Sequence, residues 1–557
     1  MIPKLFTCLR DYNKEQFLKD FAAGIIVAII ALPLSIALAI ASGVSPEKGL
    51  ITAIIGGFFV SLLGGSRVQI GGPTGAFVVI VYGIVQKYGL SGLTVATVIA
   101  GIFLILMGVL KLGSMIKFIP YPITTGFTSG IAIIIFSSQI KDFFGLSMDK
   151  VPADFIPKWT AYFGNFHTIN GAALLVGALS ILIIVLWPKV NKKIPSTLIA
   201  IIFVTFISIL LKLDVATIGS QFGEISTSLS MPSLPQINLK MIQELIMPGI
   251  TIALLGSIES LLSAVVADGM IGGNHRSNIE LVGQGVANIC SSLFGGIPVT
   301  GAIARTAANI KNGARTPISG IVHSITLLLM MLILMPYVKF IPMAALAAIL
   351  MMVAYHMGEW HAFKELSKSP KSDAIILLTT FFLTVIVDLV VAIEVGMVLA
   401  AFLFMKRMAD VTDFKYLLED NQIKDDLPIY ENVSKKIAFY EINGPFFFGA
   451  ADKFIKVIKE VEHSPQVLIL KMKNVPVIDA TGYAALKQLY DMNQQSNTEL
   501  ILMEIQELPL RILGNYGFIE TLGKDHVCEC LDEAIEMANR FIDEESIEAV
   551  KTLPVMQ

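Results

Sequence analysis

Long apolar runs, each near the length that a bilayer demands, fill the chain from residue 21 to about residue 405. They predict spans at 21–41, interrupted by Pro33, and at 49–63. A short helix from Pro73 to about Gln86 follows, then spans at about 93–112, 116–140, 170–187 and 194–211. A second set covers 247–267, 281–294, a short helix from Pro298, and about 317–335, 341–357, 373–388 and 390–405. The pattern is that of an α-helical polytopic membrane protein with fourteen segments, seven in 21–211 and seven in 241–408. Polar loops are expected at 141–168 and 212–240.

Two stretches break the apolar pattern in corresponding places. One reads Gly71-Gly72-Pro73-Thr74-Gly75-Ala76-Phe77, the other Gly295-Gly296-Ile297-Pro298-Val299-Thr300-Gly301-Ala302-Ile303-Ala304-Arg305. Proline is accepted in the first turn of a helix, so each break predicts a new half-helix starting inside the membrane. Matched breaks in two halves point to an inverted repeat, with a ligand site between the half-helices near the midplane. The first amide N–H groups of a helix lack intrahelical acceptors and sit at its positive end, which suits an anion. Thr74, Gly75, Ala76 and Phe77 should present such groups from one side, and Thr300, Gly301 and Ala302 from the other. Arg305, expected about two turns into the second half-helix, adds a full positive charge at membrane depth, where ionisable residues are usually functional. Glu259 is the carboxylate squarely inside a predicted span. It can carry a coupled ion, or pair with Arg305 in a purely structural role. His323 and His356, in or beside spans, could relay protons but read first as hydrogen-bonded packing histidines. Asp268 reads as a helix-end residue, and Asp388 and Glu394 flank a turn.

Composition agrees with this picture. Apolar residues make up 54% of the chain and charged residues 15%, and the mean hydropathy is +0.72. A net charge of −3 gives no basis for a nucleic-acid partner. The four cysteines, Cys8, Cys290, Cys528 and Cys530, form neither a disulfide framework nor a usual metal spacing. Basic residues crowd one side of the predicted topology, at Lys4, Arg10, Lys14, Lys19, Lys189, Lys311, Arg315, Lys406 and Arg407 among others, which places both termini, the N-terminal segment 1–20 and the C-terminal tail, in the cytoplasm of a plasma-membrane protein. No nucleophile triad or metal cluster is visible, so no enzyme and no cofactor are expected.

From residue 409 the composition turns polar. A charged linker is expected at 409–433, and a small α/β domain at 434–545 with a tail at 546–557. Strands are expected near 436–440, 467–472 and 500–504, and helices near 452–462, 482–493 and 531–541.

The runs Ile258-Glu259-Ser260-Leu261-Leu262-Ser263-Ala264-Val265-Val266-Ala267-Asp268-Gly269 and Glu280-Leu281-Val282-Gly283-Gln284-Gly285-Val286-Ala287-Asn288, with the two half-helices, resemble the SulP anion transporters. Val477-Ile478-Asp479-Ala480-Thr481-Gly482 resembles the marker of the STAS domain that ends members of that family. Ala216-Thr217-Ile218-Gly219-Ser220-Gln221-Phe222 and Ala302-Ile303-Ala304-Arg305 look like the aerobic C4-dicarboxylate branch. The resemblance implies core and gate domains, a homodimer, and secondary active transport of a small anion. For that branch the anion is succinate, fumarate or aspartate, taken up with protons. It also implies that Pro33, Leu34 and Leu38 line the site, that Arg305 contributes to anion binding, and that Glu259, Ser263 and the backbone of Ala302 and Ile303 match a sodium site of the bicarbonate-carrying members. Proton coupling is favoured, sodium coupling is the alternative, and sulfate or bicarbonate is the alternative substrate. Leu34 stands where many relatives have a polar residue, which favours an organic anion. Rival classes are an anion channel and a membrane-tethered regulator. The STAS tail keeps only Thr481 as a hydroxyl in its marker, so dimer contacts or docking of a cytosolic protein are expected there rather than a phosphoswitch.

Overall fold

The structure, a computed structural model, describes residues 2–114, 119–148, 151–191, 194–223, 231–233, 239–387, 389–416, 434, 436–459 and 465–551. The expectation for Asp388 and most of the expected linker lie outside the described residues. The chain forms two compact units, Met1–Val398 and Leu399–Gln557. That division falls inside the helix Leu389–Val411 rather than at residue 408.

In the first unit, eight helices among the described residues are long and apolar enough to cross a membrane, and Ser196–Leu210 is a shorter apolar helix. The helices fall into two packed groups. Gly75–Val109 lies against Leu239–Ile271 and Ser277–Leu293, and Lys14–Ala41 against Ile318–Val338 and Ile303–Lys311. Tyr121–Ser138 packs with Lys371–Ile386 and Met343–Met357, and Gly171–Val190 with Ser196–Leu210. Small residues let backbones approach where there is no aqueous driving force. A Cβ on Gly101 would meet the Gly285 carbonyl oxygen at 2.6 Å, so these two glycines set the contact between Gly75–Val109 and Ser277–Leu293.

Several sequence expectations change. The first span begins at Lys14 and runs unbroken through Pro33 to Ala41. The segment after Pro46 is helical throughout, with a π-helical stretch at Thr52–Gly56. The helix Gly75–Val109 contains both the first half-helix and the following span, joined at Gly89, where φ is 66° and ψ −168°. The loops expected at 141–168 and 212–240 hold helices, Phe155–Asn165 and Ile218–Phe222.

At the heart of the unit, β1 (Gly71–Gly72) pairs antiparallel with β2 (Thr300–Gly301), in the register Gly71↔Gly301 and Gly72↔Thr300. Irregular backbone is tolerated at membrane depth only where its polar groups find partners. Each approach to this ladder is held by side chains from the other half. Glu280, fully buried, accepts from the N–H groups of Gly65 and Ser66 at 2.7 and 3.0 Å. It also accepts from Ser260 Oγ and Gln284 Nε2. Reciprocally, Lys48 Nζ donates to the Gly295 carbonyl and Thr52 Oγ1 accepts from Ile297 N–H at 2.7 Å. Asn288 closes the segment by donating to the Val299 carbonyl and accepting from Val299 N–H. Buried Asp20 likewise accepts from the N–H of Arg315 and the hydroxyl of Thr316, fixing the turn after the second half-helix.

The second unit is a five-stranded sheet in the order β3-β4-β5-β6-β7, with β3 (Asp413–Tyr416) antiparallel to β4 (Ile437–Asn443). The parallel strands β5 (Val467–Asn474), β6 (Glu499–Met503) and β7 (Val527–Cys528) follow. Alternation along the strands separates two cores. Ala438, Tyr440, Leu468, Leu470, Leu500 and Leu502 meet Leu486 and Leu489 of Ala480–Gln495. Ile437, Phe439, Val467, Ile469, Ile501 and Met503 meet Ala534 and Ala538 of Leu531–Lys551. Strands β3 and β7 and the helices Glu507–Asn515 and Phe518–Leu522 go beyond the sequence reading.

Removing the Glu280 carboxylate strands four buried donors. Glu280→Ala should therefore cost on the order of 3 kcal/mol, and Glu280→Gln, which keeps one acceptor oxygen, less. Thermal midpoints of the purified protein in detergent check the order wild type, Gln, Ala.

Candidate anion site between the half-helices

The ladder turns the two half-helix starts toward each other. The first half-helix starts at Gly75 after Thr74, with no side-chain cap. The second starts at Ile303 after Ala302, again with no side-chain cap. This start lies beyond Pro298, where the sequence put it. The cause is local: the N–H groups of Ile297 and Val299 are bound by Thr52 and Asn288, which holds 297–301 extended. Arg305 is consequently the third residue of its helix instead of lying two turns in. The expected donors shift as well. Thr300 and Gly301 are strand residues, and Ala302 N–H donates to the Ile70 carbonyl at 2.9 Å. The first uncapped turn on this side begins with Ile303 and Ala304, both exposed.

Arg305 is buried, 4% exposed, and one of its amino groups donates to the Pro73 carbonyl at the start of the first half-helix. The other, Nη1, has no hydrogen-bond partner among the described residues. Gly72 makes room for it, since a Cβ there would collide with this guanidinium. Glu259, half-buried, accepts from Thr74 Oγ1 at 2.7 Å. No Glu259–Arg305 ion pair forms among the described residues; each group instead holds one end of Pro73-Thr74, and each lies within the other's electrostatic reach. A buried guanidinium nitrogen without an acceptor and two uncapped helix starts make one electropositive place in a low-dielectric interior.

The other sequence candidates are distributed around it. Gly75, Ala76 and Phe77 are buried; a Cβ on Gly256 of the Glu259 helix would contact the Phe77 ring at 3.4 Å. Thr300 Oγ1 donates to the Gly256 carbonyl at 3.0 Å. Ser263 Oγ donates to Thr306 Oγ1 at 3.2 Å, and that oxygen also accepts from Ile70 N–H, so Ser263 braces the second half-helix. Pro33 and Leu38 are buried in the first helix, Leu38 within the main apolar core, while Leu34 is half-exposed. Among the described residues no group of three His, Cys, Asp or Glu side chains is placed to hold a metal ion.

The sequence reading missed two residues. Gln69 Nε2 donates to Ser260 Oγ, and Asn309 Nδ2 to the Val68 carbonyl, fixing the strand from below. His323 is not a hydrogen-bonded packing residue: it is buried, its Nε2 has no partner, and the charge that bears on it is Arg305. Its neighbours one turn apart, Gly320 and Ser324, face Gln69 and the Gly57–Gly71 contact, so His323 backs the site. His356, by contrast, is exposed and faces the Met352 carbonyl. Beyond the first half-helix, at the end of the unit opposite Lys14, lies a cavity of about 680 Å³ lined by Ala41, Val78 and Ile135 among others.

Residues 17–380 match the sulfate permease family and residues 428–534 the STAS domain. The chain belongs to the sulfate permease family. It is 41% identical to a putative sulfate transporter, YvdB, of Bacillus subtilis, over 94% of this chain and 98% of that one. It is 31% identical to the bicarbonate transporter BicA of a Picosynechococcus species, over 93% and 94%. The SLC26A9 structure shares the fold with a TM-score of 0.84 at 19% identity, covering 97% of this chain and 93% of that one.

Thr74→Val removes the hydroxyl that Glu259 accepts from while keeping the shape. The infrared carboxyl band that disappears in Glu259→Gln should shift in Thr74→Val and stay in place in Thr74→Ser.

Proposed function

We propose that this member of the sulfate permease family is a secondary active transporter of small oxyanions, with sulfate or bicarbonate ahead of C4-dicarboxylates. The observation that carries the reading is the buried Arg305 with a free Nη1 beside two uncapped half-helix starts. Such a place favours an anion without demanding a particular one. The names of the relatives support an inorganic oxyanion: one is called a putative sulfate transporter and another a bicarbonate transporter. The dicarboxylate reading keeps one specific support, the half-exposed Leu34.

In this mechanism the anion enters the gap between the half-helices. It accepts from the first-turn N–H groups of Gly75 and Ala76 and of Ile303 and Ala304, and from Arg305 Nη1. Glu259 carries the coupled proton: a neutral carboxyl leaves the site positive and receptive, and an ionised one weakens the hold on the anion. Sodium, near Glu259 and Ser263, is the alternative coupling ion. A passive anion path gains nothing from a carboxylate at this position, which favours a coupled transporter over a channel. The STAS domain serves homodimer contacts or docks a cytosolic protein, with both termini cytoplasmic in the plasma membrane.

Proteoliposomes given labelled sulfate, bicarbonate or succinate, under an inward proton gradient and then a sodium gradient, test the reading. Sulfate or bicarbonate uptake driven by the proton gradient is expected. Arg305→Ala should lower it by about 30-fold or more, the loss of a buried charged contact worth at least ~2 kcal/mol. Glu259→Gln should retain exchange but lose gradient-driven accumulation. Uptake of succinate alone would overturn the oxyanion assignment, and normal uptake by Arg305→Ala would remove the site.

A further inference from the structure

We propose that the cavity beyond the first half-helix holds a second anion site, in which Lys158 binds a small oxyanion before it reaches Arg305. The inference rests on the transport reading for its purpose but not for its existence.

The cavity, about 680 Å³, is lined from Val78, one turn past Thr74, to Lys87 and Glu244. It lies between the two helical groups of the first unit, with Val78 and Thr251 on one wall and Ile135 and Val385 on the other. Lys158 is part of its lining. It comes from the helix Phe155–Asn165, which the sequence read as loop, and it is only 5% exposed. Lysines are rarely so buried unless paired. Yet its ammonium makes no hydrogen bond and no ion pair among the described residues. The carboxylate that bears on it is Asp154, the residue before its own helix and part of the same lining, with no salt bridge between them among the described residues. Burial accordingly holds its pKa below the usual lysine value.

The other charged groups of the cavity bear on one another. Lys141 acts on Asp142, and Glu244 on Lys87. Among the described residues Lys158 therefore makes no ion pair of its own, Asp154 of the same lining acts on it only at longer range, and its helix holds it in place rather than free on the surface. That helix is fixed: Trp159 Nε1 donates to Ser137 Oγ at 3.2 Å, and Tyr162, one turn from Lys158, is fully buried with its hydroxyl unpartnered. A buried ammonium without a salt bridge is stabilised by a small anion that enters, and a cavity of about 680 Å³ has room for one with part of its hydration shell. Sulfate satisfies the charge, the size and the need for several acceptor oxygens.

Equilibrium binding of labelled sulfate to the full-length protein in lipid nanodiscs tests the site. The stoichiometry is measured for wild type, Lys158→Gln, Lys158→Arg and Arg305→Ala. Lys158→Gln should bind one equivalent less than wild type, whereas Lys158→Arg and Arg305→Ala should keep that equivalent. In vesicles, Lys158→Gln should raise the KM for uptake from the cavity side at least ~3-fold with kcat unchanged. The same number of equivalents at the same Kd in wild type and Lys158→Gln would overturn the site, as would no sulfate binding at all. Binding that persists in a protein without uptake would instead count against the transport reading and leave Lys158 as an anion site.

Discussion

Everything at the centre of the membrane unit depends on satisfying a backbone that is not helical at bilayer depth. The chain does so by crossing itself. Two glycines from one half and Thr300-Gly301 from the other form a ladder two residues long. Side chains from the opposite half tie down each approach, Glu280 on one and Lys48 and Thr52 on the other, and Asn288 of the same half closes the second. With the crossing satisfied internally, the two half-helices start without side-chain caps close to the ladder that joins them. On the proposed reading the fold draws its anion affinity from backbone geometry, and Arg305 adds charge at the place where the chain crosses itself.

The same crossing explains why Glu259 and Arg305 do not form a direct pair. Each is engaged by the Pro73-Thr74 segment, Arg305 through the Pro73 carbonyl and Glu259 through the Thr74 hydroxyl. A direct ion pair would cancel the charge at the site. Separation by one peptide unit leaves the positive end of the site open and keeps the carboxylate within electrostatic reach. The proposed coupling of an anion to a proton would need that separation, because the two must sense each other's charge without excluding each other.

The apolar periodicity made most helices legible, because length and hydropathy suffice for segments bounded by water. The matched Gly-Pro breaks located the half-helices, and Glu259 and Arg305 stood out as charges in apolar surroundings. The start of the second half-helix was misplaced at Pro298, because nothing local to 297–301 reveals that Thr52 and Asn288 will claim its N–H groups. Pro33 was read as a break, yet the helix around it continues. His323 and Lys158 were not singled out as site residues for a related reason: a lone histidine in a span or a lysine in a loop acquires meaning only when the fold buries it without a partner. In the C-terminal unit, period-two alternation gave the central strands, whereas β3 and β7 are too short and too weakly patterned to be recognised from sequence.

The most direct measurement is a structure determined with selenate, a sulfate analogue whose anomalous scattering marks its position. Density between the first turn of the helix Gly75–Val109 and Arg305, lost in Arg305→Ala, is the predicted result. Selenate bound elsewhere in the membrane unit, with no density between the half-helices at saturating concentration, would contradict the account.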